Sequence, residues 1–286
     1  MFEHFLITRF NLLQAHTCFT PDHETWIAWT KRRFPVFLNF CLPSVVNQTN
    51  KNFKWLIYFD AATPSEFDDQ INELRQYDFI DICYAKGNGD FQLKYTKDIQ
   101  QKTASNTEWI ITSRLDNDDC LHANAIERIQ KEFILKDKFM ISLAIGYVYH
   151  TEIQKLSQYY YLKSPFISMI EKSGSILGIY HKNHNRWEAM QTSIIKELYS
   201  RAFKREEKRK TCFIFDDTLW MQLCHGENLG NTFYRGLPVL DSKKLNDFGI
   251  DKTSQPSRYV DIFKYINPKI WWRNMLAVIF RKVYCR

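Results

Sequence analysis

Trp109-Ile110-Ile111-Thr112-Ser113-Arg114-Leu115-Asp116-Asn117-Asp118-Asp119 runs from an apolar segment straight into three carboxylates within four residues. The isoleucines and threonine read as a buried strand, and the Asp-rich turn falls at that strand's carboxyl end. A helix is expected directly behind the turn, with Ala123, Ile126, Ile129, Gln130 and Phe133 along one side. Comparable strand-like runs lie at Phe5–Phe10, Trp55–Phe59, Ile80–Tyr84 and Phe139–Leu143, with amphipathic helical stretches between several of them. That alternation predicts an α/β fold with a mostly parallel central sheet flanked by helices. Ligands of such sheets bind outside the carboxyl ends of the strands, which is where the Asp cluster stands.

Working outward, Thr63, Pro64 and Glu66 have the spacing of a capping box, followed by Phe67, Ile71 and Leu74 on one helical face. Asp60 is thereby placed at a strand end. Gly87-Asn88-Gly89-Asp90 reads as a turn after the third strand. Beyond Tyr147 the pattern loosens, and the basic run Lys204–Lys210 reads as a solvated helix end. In the tail, Trp271, Trp272, Met275, Leu276, Val278, Ile279 and Phe280 share one side of a helix over Ile270–Val283, opposite Arg273, Asn274 and Arg281. Such a helix suits a membrane interface, and equally suits packing on the domain.

The composition, 45% hydrophobic and 25% charged over 286 residues, excludes a disordered chain and a multi-span membrane protein. An aromatic share of 16% fits a sugar-stacking site, a large core or an interfacial belt alike. The net charge of +7 suits a polyanion, either nucleic acid or an anionic membrane. Seven scattered cysteines without a C-x-x-C pair point to reduced thiols rather than a disulfide framework. Met1–Leu13, interrupted by Glu3 and Arg9, lacks the pattern of a signal peptide, so a cytoplasmic protein is expected.

Three adjacent carboxylates repel one another unless a cation neutralises them. Oxygen ligands favour Mg²⁺ or Mn²⁺, whose shell is commonly completed by substrate phosphates, so a nucleoside diphosphate fits. The same aspartates could simply form an exposed turn and helix N-terminus.

The stretch Cys41–Asp60, with Ser44-Val45-Val46-Asn47-Gln48-Thr49 leading through Asn52-Phe53 to a strand closing on Asp60, resembles the opening of family 2 glycosyltransferases. In that family a D-x-D or D-x-D-D motif follows, matched here by Asp116, Asp118 and Asp119. Ser113-Arg114-Leu115-Asp116, together with Ile7-Thr8-Arg9-Phe10-Asn11, looks like the bacterial rhamnosyltransferase branch. The resemblance covers roughly the first 145 residues well and continues more weakly to about residue 235. It implies a GT-A type fold. By it, Asp60 would contact the base or ribose of the nucleotide, Asp116 the ribose or metal, and Asp118 and Asp119 the metal and diphosphate. Thr8 and Arg9 would line the same pocket. Arg9 and Arg114 suit either a phosphate fork or a structural salt bridge.

The family's E-D and Q-x-x-R-W pair is absent. Asp216 and Asp217, in Phe215-Asp216-Asp217-Thr218-Leu219-Trp220, are the candidates for the catalytic base, or alternatively cap a helix carrying Trp220 and Leu223. His225 is a candidate third metal ligand, against the ordinary use of a histidine on a surface or in a core. His184, Arg186 and Glu188 are candidates for contact with the acceptor.

Taken together, a glycosyltransferase is expected, moving a hexose or deoxyhexose, rhamnose by resemblance, from a nucleoside-diphosphate sugar. The expected acceptor is a glycan or polyprenyl-linked chain in cell-surface polysaccharide synthesis, with peripheral contact at the inner face of the cell membrane. Residues 1–150 would form the nucleotide-sugar half, 151–260 the acceptor-side half of the same domain, and 261–286 an amphipathic tail. One competing reading is Mg²⁺-dependent nucleotidyl or phosphoryl transfer, unsupported by any P-loop or Rossmann fingerprint. The other is a basic binding module, and no nucleic-acid-binding motif accompanies the charge.

Overall fold

The computed structural model describes residues 1–13, 24–182, 186, 210–215, 217–225, 236–239 and 242–250, together with 268, 272 and 275. At its centre β1 (Phe2–Arg9), β2 (Lys54–Asp60), β3 (Ile80–Ala85) and β4 (Trp109–Arg114) run parallel in the order β4-β1-β2-β3. Trp55 through Phe59 of β2 are buried without interruption, as a strand covered on both faces must be.

One face carries α1 (Glu24–Val36), a π-helical segment Phe37–Cys41, α2 (Leu42–Val46) and α3 (Asp68–Leu74). Phe34, Phe37, Val45, Ile71 and Leu74 from these elements share a core with Leu6, Trp55, Ile57 and Ile111. Pro35 lies inside α1 just before the π segment and leaves the helical ladder one donor short there. The other face is covered by α4 (Gly87–Lys102), whose Phe91, Tyr95 and Ile99 recur every four residues against Ile7, Leu56 and Tyr58.

Later strands enlarge this sheet. β5 (Asp119–Leu121) and α5 (Ala125–Lys131) follow β4, and β6 (Phe139–Leu143), β7 (Ile145–His150), β8 (Lys155–Tyr160) and β9 (Ile167–Lys172) come next. β9 lies antiparallel between β4 and β6, and β10 (Thr211–Ile214) runs parallel to β6. The mostly parallel sheet is present, with seven strands among the described residues. A second sheet, which the sequence pattern did not reveal, joins β11 (Trp220–Cys224) and β12 (Leu237–Val239) in the order β12-β8-β7-β11-β5.

Four local expectations are corrected. Thr63 forms no capping box: its hydroxyl donates to the Asp60 carbonyl at 2.6 Å, Glu66 pairs with Lys31 at 2.8 Å, and α3 is entered through a 3-10 turn over Ser65–Phe67. The helix expected directly behind Asp119 is preceded by β5 and begins at Ala125. Gly87-Asn88-Gly89-Asp90 opens α4 instead of making a free turn; Gly87 takes φ +72° and Asp90 accepts the Lys86 N–H at 2.8 Å. Trp220 and Leu223 lie on a strand, not a helix.

Among the described residues no helix is long and apolar enough to cross a membrane. Cys41, Cys83, Cys120, Cys212 and Cys224 are free thiols. The helix expected over Ile270–Val283 lies outside the described residues, apart from Trp272 and Met275, which are helical and exposed.

Candidate active site

Because β1, β2 and β4 are parallel, their carboxyl ends share one edge and bring Arg9, Asp60 and Arg114 to it. Alternation along β1 decides which face each side chain serves. Thr8, expected to line the pocket, is fully buried instead, and its hydroxyl accepts the Trp55 indole N–H at 2.9 Å. Arg9 points to the opposite face, where its guanidinium donates to Asn88 Oδ1 at 2.9 Å and stands 4.7 Å from the Tyr180 ring. Arg114 lies 5.3 Å from the same ring and grips both Asp116 oxygens, at 3.1 and 2.7 Å. Tyr180 is thus a platform shared by two guanidiniums. Burial and Asp116 push its hydroxyl up to about 12, and that hydroxyl donates to the Ile7 carbonyl at 3.2 Å.

Asp60 serves the loops around this edge. One oxygen accepts the N–H groups of Leu13 and Gly87 at 3.0 and 2.9 Å, and the other accepts that of Ala62 at 2.9 Å. It ties the segment after β1 to the start of α4.

A second centre forms around Asp118. Arg33 Nη1 is 2.6 Å from Asp118 Oδ2, and His225 Nε2 is 3.2 Å from the same oxygen. His225 Nε2 also lies 3.3 Å from Arg33 Nη1, and a single ring nitrogen cannot donate to the carboxylate and accept from the guanidinium at once. Arg33 gets there because α1 buries Trp26, Thr30, Arg33 and Phe34, one helical stripe that contains an arginine. Its guanidinium also lies 4.7 Å from the Trp29 ring.

The three carboxylates, alike in sequence, are separated by their surroundings. Burial raises each of them. At Asp116 the Arg114 and Arg9 guanidiniums together reverse this, and at Asp118 the His225 hydrogen bond and Arg33 do so, leaving both below the usual carboxylate range. Asp119 has no such guanidinium contact. Burial, and then the charges of Asp118 and Asp116, hold it well above that range. It pairs with Gln222 across the β5–β11 ladder, and its Oδ1 is buried without a hydrogen-bond partner.

Asp118 and His225, read from segments 107 residues apart, are therefore brought together, while Asp116 is held beside Arg9 and Arg114. Asp217 is not brought to them: it is an exposed bend residue before β11, and the five residues of that strand, ~16 Å, separate it from His225. Its charge acts instead on His122. Arg186 is an exposed turn residue, and His184, Glu188 and Asp216 lie outside the described residues. Among the described residues no three His, Cys, Asp or Glu side chains converge as a ready-made metal cage. Arg33, Trp29 and Tyr180 were not foreseen, and Asn88 was read only as part of a turn. Only Arg33 carried a sequence signal, as a charged residue at the seventh position after Trp26 on an otherwise buried stripe.

A family model described as "Putative rhamnosyl transferase" matches residues 3–206. The chain belongs to that family. It is therefore a member of a glycosyltransferase family, and the match spans Arg9, Arg33, Asp60 and the Asp cluster but ends before His225. Similar solved structures include two of S. aureus TarS 1-349. One has 11% identity and a TM-score of 0.39 over 77% of this chain, and the other, in complex with UDP, has 9% and 0.40 over 78%. This chain covers 60% of each of them. A third, titled "putative nucleotide-diphospho-sugar transferase" from Desulfovibrio desulfuricans G20, has 7% identity and a TM-score of 0.30, over 78% of this chain and 79% of that one. No curated protein matches.

Proposed function

We propose that this protein transfers a hexose or deoxyhexose, rhamnose by family, from a nucleoside-diphosphate sugar to a hydroxyl of a glycan or polyprenyl-linked acceptor. The proposed setting is a GT-A type fold working on cell-surface polysaccharide, with peripheral membrane contact at the inner face. The observation that carries the reading is the meeting of Asp118 with His225 beside Asp116, at the carboxyl edge of the parallel strands. A divalent cation fits this donor set. One carboxylate oxygen and one imidazole nitrogen stand 3.2 Å apart, and the other positions would be those Mg²⁺ or Mn²⁺ leaves to phosphate and water. Bound there, the ion would stabilise negative charge on a departing diphosphate.

The chain's own residues divide the rest of the work. Arg9, held by Asn88 and not salt-bridged by Asp116 as Arg114 is, suits a diphosphate oxygen as a planar donor fork. Arg114 holds Asp116 in one orientation for the ribose or the cation. Asp60, engaged by three backbone N–H groups, fixes the floor on which a base would rest.

The test is calorimetric titration of UDP, GDP and dTDP into wild type and Asp118→Asn, with and without Mn²⁺. One nucleotide should bind in a metal-dependent way, and the variant should lose at least about 1.4 kcal/mol, or tenfold, of that affinity. If no nucleotide binds under any condition, the reading is wrong.

A further inference from the structure

Arg33 occupies the oxygen of Asp118 that a cation would need. Its Nη1 stands 2.6 Å from Asp118 Oδ2, nearer than His225 does at 3.2 Å, and its side chain is only 7% exposed. It is anchored through its helix as well. Trp26, one turn before Thr30 on the same stripe, donates its indole N–H to the Asn11 carbonyl at 2.9 Å, and Asn11 accepts the Asp60 N–H at 3.0 Å. α1 is therefore tied to the ends of β1 and β2, and the guanidinium is delivered to the acidic turn by a fixed element, not by a long surface side chain.

Two positive groups cannot share one carboxylate oxygen at contact distance without repelling each other. A divalent ion reaching Asp118 and His225 must therefore displace Arg33. The displaced guanidinium would be a buried charge without its anion, a costly state unless another anion arrives with the ion. A diphosphate bridged to that ion brings negative oxygens to within a few ångströms of the same point, and a planar guanidinium binds phosphate oxygens in pairs.

We propose that Arg33 holds Asp118 as an internal counter-ion until a divalent cation replaces it, and that it then becomes a ligand of the donor's diphosphate. The proposal rests on the metal-dependent reading given above. Arg33 thus opposes the bare ion and favours the ion together with its nucleotide, so that the site fills with both or with neither.

The test compares wild type, Arg33→Gln and Arg33→Lys in two titrations, Mn²⁺ alone and then UDP, GDP and dTDP at saturating Mn²⁺. Arg33→Gln should bind Mn²⁺ alone about tenfold more tightly and the preferred nucleotide about tenfold more weakly, with Arg33→Lys between it and wild type in both. Opposite signs in the two titrations are the signature, because damage to the fold would weaken both. Thermal melting guards against an unfolded variant: Arg33→Gln should melt lower than wild type without metal, and Mn²⁺ should raise its midpoint by more. Equal Mn²⁺ affinity in all three chains would overturn the exchange and leave the metal reading standing. Absence of Mn²⁺ binding in every chain would overturn both.

Discussion

His4, near the start of β1, uses both ring nitrogens inside the core, with Nε2 at 2.7 Å from Ser113 Oγ and Nδ1 at 3.2 Å from Gln130 Nε2. Burial lowers its pKa from 6.5 to about 3. Between those values the unfolded chain binds a proton that the folded chain refuses. The contribution to stability is therefore complete above pH 6.5 and falls as the pH drops, by about 1.4 kcal/mol per unit. At pH 5 the loss should be about 2 kcal/mol. Urea unfolding of wild type and His4→Gln at pH 7 and pH 5 measures it; the variant should lose about 2 kcal/mol less on acidification, and equal losses would show that the folded ring accepts its proton normally. Residues of this kind differ in how far sequence exposes them. The Asp cluster was legible because three carboxylates in four residues demand compensation. The compensating cations were not, since Arg33 lies 85 positions before Asp118 and meets it only through the packing of α1, while Tyr180 joins Arg9 from the far side of β9 in the chain.

β7 and β11 show what an element can impose on a single position. Gly146 pairs with Trp220 across their parallel ladder, and a Cβ built on it would sit 1.9 Å from the indole. That ring has no room to yield, being stacked 4.7 Å from Phe166 and bonded through Nε1 to the Leu143 carbonyl at 2.8 Å. Gly146→Ala should cost about 3 kcal/mol by overpacking, seen as a lower urea midpoint at unchanged slope. An unchanged midpoint would mean that the strand pair is loose, and with it the route by which β11 delivers His225. Elements of the first sheet were legible because apolar runs such as Trp55–Phe59 and Ile110–Thr112 have few other uses. Gly87-Asn88-Gly89-Asp90 misled because two glycines signal a turn, whereas here one left-handed glycine redirects the chain and Asp90 secures the first turn of α4. β5 is three residues long, too short for any periodicity, and its pairing with β11 depends on residues a hundred positions away.

The molecule as a whole is wound so that its later half completes its earlier half. β9 lies between β4 and β6, antiparallel to both, and its Ile167, Met169 and Ile170 are buried among strands laid down before it. In the second sheet two later strands flank β7, β8 antiparallel and β11 parallel to it, and β11 also pairs with β5, which begins at Asp119 of the cluster. A chain stopped at residue 150 would keep every residue of the Asp cluster and Arg33. It would lack β9, so β4 and β6 would each lose a ladder and expose Ile110, Met140 and Ile141. Open, apolar sheet edges of this kind associate with one another. Expressed alone, residues 1–150 should therefore be insoluble or should show no cooperative unfolding by circular dichroism. A soluble fragment with a sharp thermal transition would show that the central parallel strands form a unit without β9, and that the later half only decorates it. The expected failure reaches the Asp cluster as well: Asp118 and His225, 3.2 Å apart, meet only where β11 is seated beside β5 and β7, and a chain that stops at residue 150 has no β11 to bring them together.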